Sequence, residues 1–329
     1  MSDVDIIIAW VDGNDKEWQS EKAKYAPPYE REASSNIRYR EWDNLQYIFR
    51  GIESFMPWVR KVHFVTWGHV PQWLNPECPK LNVVNHRDFI PKEYLPTFNA
   101  NAIELNFHRI PGLAEQFIYF NDDMFVVRKT NEEDFFKDGL PRDMACISPQ
   151  PIYRNSIMNI ELNNMKIIND YFTREDIKRN KGKWMKPQMY GQYALRTFLF
   201  LRFKSILGIF QPHVPYTLLK STYETLWEKE FKILDDTCKR KYRDMADNNV
   251  WLVRSWQLVS GNFLPRSHKF GQLISASDID AVKSFLHHQK KCHLVCINDD
   301  DTVSDFEETK NKVNSELELI LPNKSTFER

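Results

Sequence analysis

The chain has 329 residues, with 45 Lys and Arg balancing 45 Asp and Glu, so its formal net charge is zero. Hydrophobic residues make up 42%, with only 10 Gly and 17 Pro, which excludes disordered, collagen-like and low-complexity classes. The neutral balance leaves no bulk electrostatic case for nucleic acid. The five cysteines, odd in number and sparse, suit a reduced interior better than a disulfide scaffold. The opening MSDVD lacks the basic and apolar regions of a signal peptide, and no stretch approaches the roughly 18 apolar residues of a membrane span. A cytoplasmic location is expected, with a peripheral seat at the inner face of a membrane left open. The length suits about two domains, or one α/β core with insertions.

The first half alternates short apolar runs with helical patterns, the rhythm of a βαβ sheet. Val4 to Val11 reads as a buried strand that stops at the turn Asp12-Gly13-Asn14-Asp15, and Asn14 or Asp15 caps the next helix. Leu45, Ile48, Phe49, Ile52, Phe55 and Met56 recur at three- and four-residue steps and make one helix face, ended by Pro57. Val62 to Thr66 and Leu81 to Val84 are further strands. Asn99 to Ile110 reads as a helix capped by Asn99 or Asn101. Phe117 to Phe120 is a fourth strand, running directly into Asn121-Asp122-Asp123.

After about residue 150 the pattern turns more helical and more basic. Lys178, Arg179, Lys181, Lys183 and Lys186 surround Gly182 and suggest a mobile surface loop. Helices are expected at 189–207, 221–245 and 278–290. The apolar stretch Phe198 to Phe210 is broken by Arg202 and Lys204, and reads as a buried core helix in preference to a basic segment lying on a membrane. His293 to Ile297 is a late strand ending in Asn298-Asp299-Asp300-Asp301, and a last helix opens at Ser304 and stops at Pro322. The expected division is a nucleotide-binding core over 1–150, a mainly helical region over 151–275 and a strand-helix segment over 276–329 that packs back on the core.

Three strands thus end in acidic turns. In an open α/β sheet ligands bind outside the carboxyl ends of the strands, so these ends can converge on one cleft. Clustered carboxylates repel one another unless a cation lies between them, and hard oxygen donors point to Mg²⁺ or Mn²⁺. Asp122 and Asp123 cannot both face one ion on an extended backbone, because side chains alternate. Either the chain turns there, or Asn121 and Asp123 share the face. The basic counterparts are Arg38, Arg40, His108, Arg109, His213 and Arg243, some of which a pyrophosphate would need. His213, between Pro212 and Pro215, suits a fixed catalytic base and equally a structural histidine. A zinc site drawn from His287, His288, Cys292, His293 and Cys296 lacks a second Cys-x-x-Cys arm, so the two cysteines read better as strand residues.

Four blocks of the sequence resemble the Stealth family of sugar-phosphate transferases in bacterial capsule synthesis, whose catalytic blocks the animal lysosomal-enzyme GlcNAc-1-phosphotransferase shares. The first is Asp5 to Asp15 (DIIIAWVDGND), with Asp12 where the animal enzyme has Asn. The second includes Arg38 to Trp42 (RYREW), Leu95 to Glu104 (LPTFNANAIE), His108 to Leu113 (HRIPGL) and Tyr119 to Phe125 (YFNDDMF). The third runs from His213-Val-Pro215 to about Arg243, and the fourth from Val295 (VCINDD) through Phe327 and Glu328.

The resemblance implies a Rossmann-like, GT-A-like α/β core, a UDP-sugar donor, a saccharide or polysaccharide acceptor and a divalent cation. Trp10, Asp12 and Gly13 would face the nucleotide, Asp122 and Asp123 with Asn121 would hold the metal, and His213 and Arg243 would serve the phosphoryl centre and the sugar. Arg38, Arg40, Asn99, Asn101 and Arg109 are further substrate-binding candidates. An acceptor hydroxyl would attack the sugar-linked phosphorus and release UMP, with His213 or, second, His108 as base. A glycosyltransferase releasing UDP is the alternative. A non-catalytic sugar-binding protein is disfavoured, because most of the aromatics fall at apolar-periodic positions.

Overall fold

The computed structural model describes residues 3–26, 40–151, 153–154, 156–300 and 302–329; Arg38 lies outside them. The expected apolar runs form four parallel strands, β1 (Val4–Ala9), β2 (Lys61–Thr66), β3 (Leu81–Asn85) and β4 (Gln116–Phe120). Ile6, Ile7 and Ile8 on β1 are fully buried, as a strand covered on both faces requires. The helices α2 (Leu45–Phe55) and α3 (Ala100–Leu105) bury their apolar residues in the same core as these strands, while α1 (Lys16–Tyr25) packs its one buried residue, Trp18, in a separate small cluster with Phe98 and Tyr242. Asp15 caps α1 by accepting from the Trp18 N–H, and Asn99 caps α3 by accepting from Asn101 N–H. The order β3-β2-β1-β4 adds β2 and β3 on one side of β1 and then returns to place β4 on the other. That reversal is the switch point at which Rossmann-like sheets open a binding crevice.

Six strands escaped the sequence reading, and three of them lie in the two larger sheets. β8 (Tyr216–Leu219) closes the sheet antiparallel to β4, with Tyr216 opposite Tyr119. β5 (Met124–Val126) follows β4 after the turn at Asp122 and Asp123, and joins a second sheet with β10 (Gly271–Ser275) and β11 (Leu294–Asn298) in the order β10-β11-β5. All three are four or five residues long or shorter, too brief for period-2 alternation to register. A small third sheet pairs β6 (Phe136–Lys137), β7 (Leu140–Asp143) and β9 (Leu264–Pro265).

The later part of the chain carries α4 (Met158–Tyr171), α5 (Arg174–Arg179), α6 (Gln192–Phe200), α7 (Lys220–Lys229), α8 (Phe231–Lys239), α9 (Val250–Val259), α10 (Ile279–His288) and α11 (Phe306–Ile320). The single helix expected over 221–245 is two, α7 and α8. All ten residues of α9 are buried, so its apolar content shows no face. The basic segment expected as a loop is largely helical. Thr173 and Asp176 form a capping box on α5, while Ile177 and Trp184 anchor the segment in the core. The buried helix expected around Phe198 is also corrected. α6 buries Ala194 and Thr197, whereas Phe198 and Leu199 stay 63% and 51% exposed. Residues from all three expected regions join one continuous core. Arg50 on α2 ties the C-terminal segment to it through Glu328 (2.9 Å), Glu318 (2.8 Å) and the Leu321 carbonyl (2.8 Å).

Candidate active site

A cleft of about 710 Å³ opens at the switch point, lined by Trp10 and Val11 from the end of β1, Asn121, Asp122 and Asp123 from the end of β4, and Ile297, Asn298 and Asp299 from β11. Two of the three acidic strand ends therefore meet. The backbone does turn after β4, with the Met124 N–H donating to the Asn121 carbonyl (3.2 Å), so Asn121, Asp122 and Asp123 all line one cleft. β11 runs antiparallel to β5, and its Ile297 N–H donates to the Asp123 carbonyl (2.9 Å). This register places Cys296 beside Asp123. β8 runs antiparallel to β4, so the residues entering it, His213 to Pro215, arrive where β4 ends.

The centre of the cleft is Asp123. Its Oδ2 accepts a hydrogen bond from the Cys296 thiol (3.1 Å) and lies 3.7 Å from His213 Nε2, while its Oδ1 is buried with no hydrogen-bond partner among the described residues. Burial, then the Asp123 charge, lifts the Cys296 thiol well above its ordinary pKa, so it stays protonated and serves as a donor. Burial alone would lower the His213 pKa, but Asp123 and the Glu104 charge outweigh it and the net shift is upward. His213 holds a left-handed φ of 48°, a conformation that costs a non-glycine residue about 1 kcal/mol or more and persists where the surroundings dictate it.

Those surroundings are a buried polar network. Arg254 on α9 pairs with Asp143 (2.7 Å) and donates to the Phe210 carbonyl (2.8 Å) and to Gln211 Oε1 (3.0 Å). Glu161 on α4 accepts from the Ile209 N–H (3.2 Å) and from Gln211 Nε2 (3.4 Å). The segment leading to His213 is thus held from both sides.

The cleft is acidic. Glu41, Glu104, Asp122, Asp123 and Asp299 line it, against Arg40, His213 and Arg243. Asp122 faces open cleft, yet the enclosing protein, then Asp123 and Glu41, push its pKa up to about 7, a repulsion that cleft water partly screens. Burial raises Glu41 as well, with help from Asp43 and Asp12. Glu104, on the buried face of α3, accepts from Tyr119 Oη (3.2 Å) and the Val250 N–H (3.3 Å), and feels the Arg243 charge. Arg40 lies 3.7 Å from Asp299, which also accepts from the Trp42 indole (3.2 Å). An orphaned carboxylate oxygen among surplus acids fits a divalent cation held by hard oxygen donors.

Other expected residues sit elsewhere. Asp12 lines an adjoining pocket of about 280 Å³ that shares Trp10 and Glu41 with the cleft; its N–H donates to His69 Nε2 (2.8 Å) and its Oδ1 accepts from Asn14 N–H (2.8 Å). Gly13 uses its carbonyl to accept from Gln19 (2.7 Å). Asn99 and Asn101 both donate to Asp247 (2.8 and 3.0 Å), and of the two only Asn101 reaches the cleft wall. His108, the second choice of base, is packed against Tyr223 and Trp227 away from the cleft, and burial drives its pKa down to about 3. Arg109 stacks on Trp227 (4.7 Å). The residues of the zinc alternative disperse: His287 pairs with Glu316, His293 with the Lys129 carbonyl, and Cys292 with the Leu294 carbonyl. All five cysteines are free and buried. Sequence reasoning missed Glu41 and Glu104; a carboxylate between Ala102 and Leu105 on an apolar helix face was the available signal for Glu104.

The family model for Stealth protein conserved region 2 matches residues 38–143. The chain is 38% identical over 334 residues to the capsular polysaccharide phosphotransferase WcwK of Streptococcus pneumoniae, covering 100% of this chain and 99% of that protein. The chain belongs to the Stealth family. This Stealth protein is also 37% identical to the receptor polysaccharide phosphotransferase WefC of Streptococcus oralis, with 100% of each chain covered. It is 32% identical to the exopolysaccharide phosphotransferase cps2G of Lactiplantibacillus plantarum, over 99% of this chain and 96% of that one. It is an enzyme of the transferase class. Among solved structures, the galactosyltransferase LgtC is a distant likeness, 11% identical with a TM-score of 0.37, over 94% of this chain and 95% of LgtC. Among the described residues, no helix of this Stealth protein is long and apolar enough to cross a membrane.

Proposed function

We propose that this Stealth protein transfers a hexose-1-phosphate or N-acetylhexosamine-1-phosphate from a UDP-sugar to a hydroxyl of a saccharide acceptor, in the synthesis of a capsular or exopolysaccharide. The oxygen of the acceptor bonds to the sugar-linked phosphorus, the bond from that phosphorus to the bridging oxygen breaks, and UMP leaves. A phosphodiester then joins the two saccharides. The observation that carries this reading is the meeting of Asp123, His213, Arg243 and Asp299 in one cleft at the switch point.

Asp122 and Asp123, with Asn121 beside them, would hold Mg²⁺ or Mn²⁺, which when bound neutralises negative charge on the diphosphate. Arg243 and Arg40 supply planar guanidinium groups for phosphate oxygens. His213 receives the proton of the attacking hydroxyl, oriented by the Asp123 carboxylate that faces its Nε2. Trp10 offers an indole face to the nucleotide at the end of β1. The names of the relatives favour attack at phosphorus over attack at the anomeric carbon.

The test is incubation with a panel of UDP-sugars and saccharide acceptors, with Mg²⁺ or Mn²⁺ and with EDTA. UMP and a phosphodiester product that EDTA abolishes are expected. UDP with a plain glycosidic bond overturns the reaction; UMP formation that survives EDTA overturns the cation.

A further inference from the structure

α6 is built inside out. It turns the small residues Ala194 and Thr197 inward, and leaves Leu195, Phe198 and Leu199 at 61%, 63% and 51% exposure. Phe203 and Leu207, just past the helix, are 41% and 39% exposed, so five large apolar side chains face outward within 13 residues. Soluble proteins seldom leave such a cluster uncovered without a partner for it.

The charge around it is equally one-sided. Residues 174–210 contain nine Lys and Arg and two Asp and Glu, a net charge of +7 in a chain whose total is zero. The two acids are already engaged within α5, where Glu175 pairs with Lys178 and Asp176 with Arg179. α5 is fastened to the apolar stretch, since the Arg174 guanidinium donates to the Arg202 carbonyl (2.7 Å) and its N–H to the Lys204 carbonyl (3.2 Å). Among the described residues Lys181, Lys186, Arg196, Arg202 and Lys204 form no ion pair. Exposed apolar side chains interleaved with free cations are the chemistry of an anionic lipid surface. A second copy of this chain would bring the same positive face against itself, and a non-ionic partner would leave the cations unmatched.

We propose that α6 and residues 201–207 seat the protein on an anionic bilayer, with Leu195, Phe198, Leu199 and Phe203 entering the headgroup boundary while the basic residues face lipid phosphates. Arg196 donates to Ser148 Oγ (3.0 Å), which fastens α6 to the segment that follows β7. The seat itself does not depend on which reaction the cleft performs.

The test is sedimentation of the full chain, without substrates, with vesicles of phosphatidylglycerol and phosphatidylcholine and with vesicles of phosphatidylcholine alone. Binding to the first, weakened by salt and absent from the second, is expected. The double variants F198S/L199S and R202E/K204E should each weaken partitioning about tenfold or more while keeping the parent's melting temperature. Absence of binding by the parent, or unchanged binding by both folded variants, overturns the proposal. So does light scattering that shows a parent dimer which F198S/L199S splits, since the face would then belong to a second copy.

Discussion

Replacing Glu161 by Gln should make the protein more stable, and increasingly so as pH rises. Glu161 is 3% exposed, and burial pushes its pKa from the usual 4.5 to about 8, against the pull of the Ile209 N–H and of Arg254. The folded protein therefore keeps a proton that the unfolded chain releases, so stability falls from about pH 4.5 to about pH 8 and levels off above. At about 1.4 kcal/mol per pH unit, the cost reaches roughly 3 kcal/mol at pH 7 and about 5 kcal/mol above pH 8. That is a large share of a typical total of about 5–15 kcal/mol. Gln keeps an acceptor for the Ile209 N–H and cannot ionise. Urea unfolding from pH 5 to pH 8 should show E161Q and the parent nearly equal at the acid end and about 3 kcal/mol apart at pH 7. Parallel curves across that range would refute the assignment of a neutral, buried Glu161 beneath the segment that leads to His213.

D123N should lower turnover about 100-fold or more at saturating Mg²⁺ or Mn²⁺ while leaving the melting temperature unchanged or raised, because it removes one of the facing carboxylates. R243K keeps the charge but loses the planar fork, and its steady-state turnover should fall about tenfold or more. A methyl at Gly51 would stand 2.4 Å from the Val126 carbonyl, so G51A must displace α2 or β5. It should cost about 1–3 kcal/mol by denaturant unfolding, and reduce activity through the Asp122–Asp123 turn that β5 follows. Asp5 is buried on Arg60 (2.6 Å), His63 (3.0 Å) and the Ala114 N–H (2.8 Å); these bonds outweigh burial and hold its pKa at about 2. The parent should lose about 2 kcal/mol through this group as pH falls from about 4 to 2, a loss that D5N does not show in acid unfolding curves.

The four parallel strands and α2 were legible because each is a run long enough to state its own period: Ile6 to Ile8 in a doubly covered strand, Ile48, Phe49 and Ile52 on one helix face. Asn121-Asp122-Asp123, which lines the cleft, stood out in the sequence because two carboxylates after a buried strand demand compensation. β5 and β8 were not, since a three- or four-residue strand is made by the neighbour that completes its ladder. α9 was not, since a helix buried all round has no polar face to mark it. His108 and Arg109 looked like phosphate ligands because chain composition reports charge without direction; packing turned both toward aromatic rings.

The sequence by itself determined the α/β class, the acidic strand ends and the family, because local periodicity, turn chemistry and motif order are written along the chain. Only the tertiary structure decided which acidic ends meet, that His213 rather than His108 reaches Asp123, and that the apolar residues of α6 face out. Those outcomes depend on strand order and on which helix face finds a partner, and such relations form between residues distant along the chain.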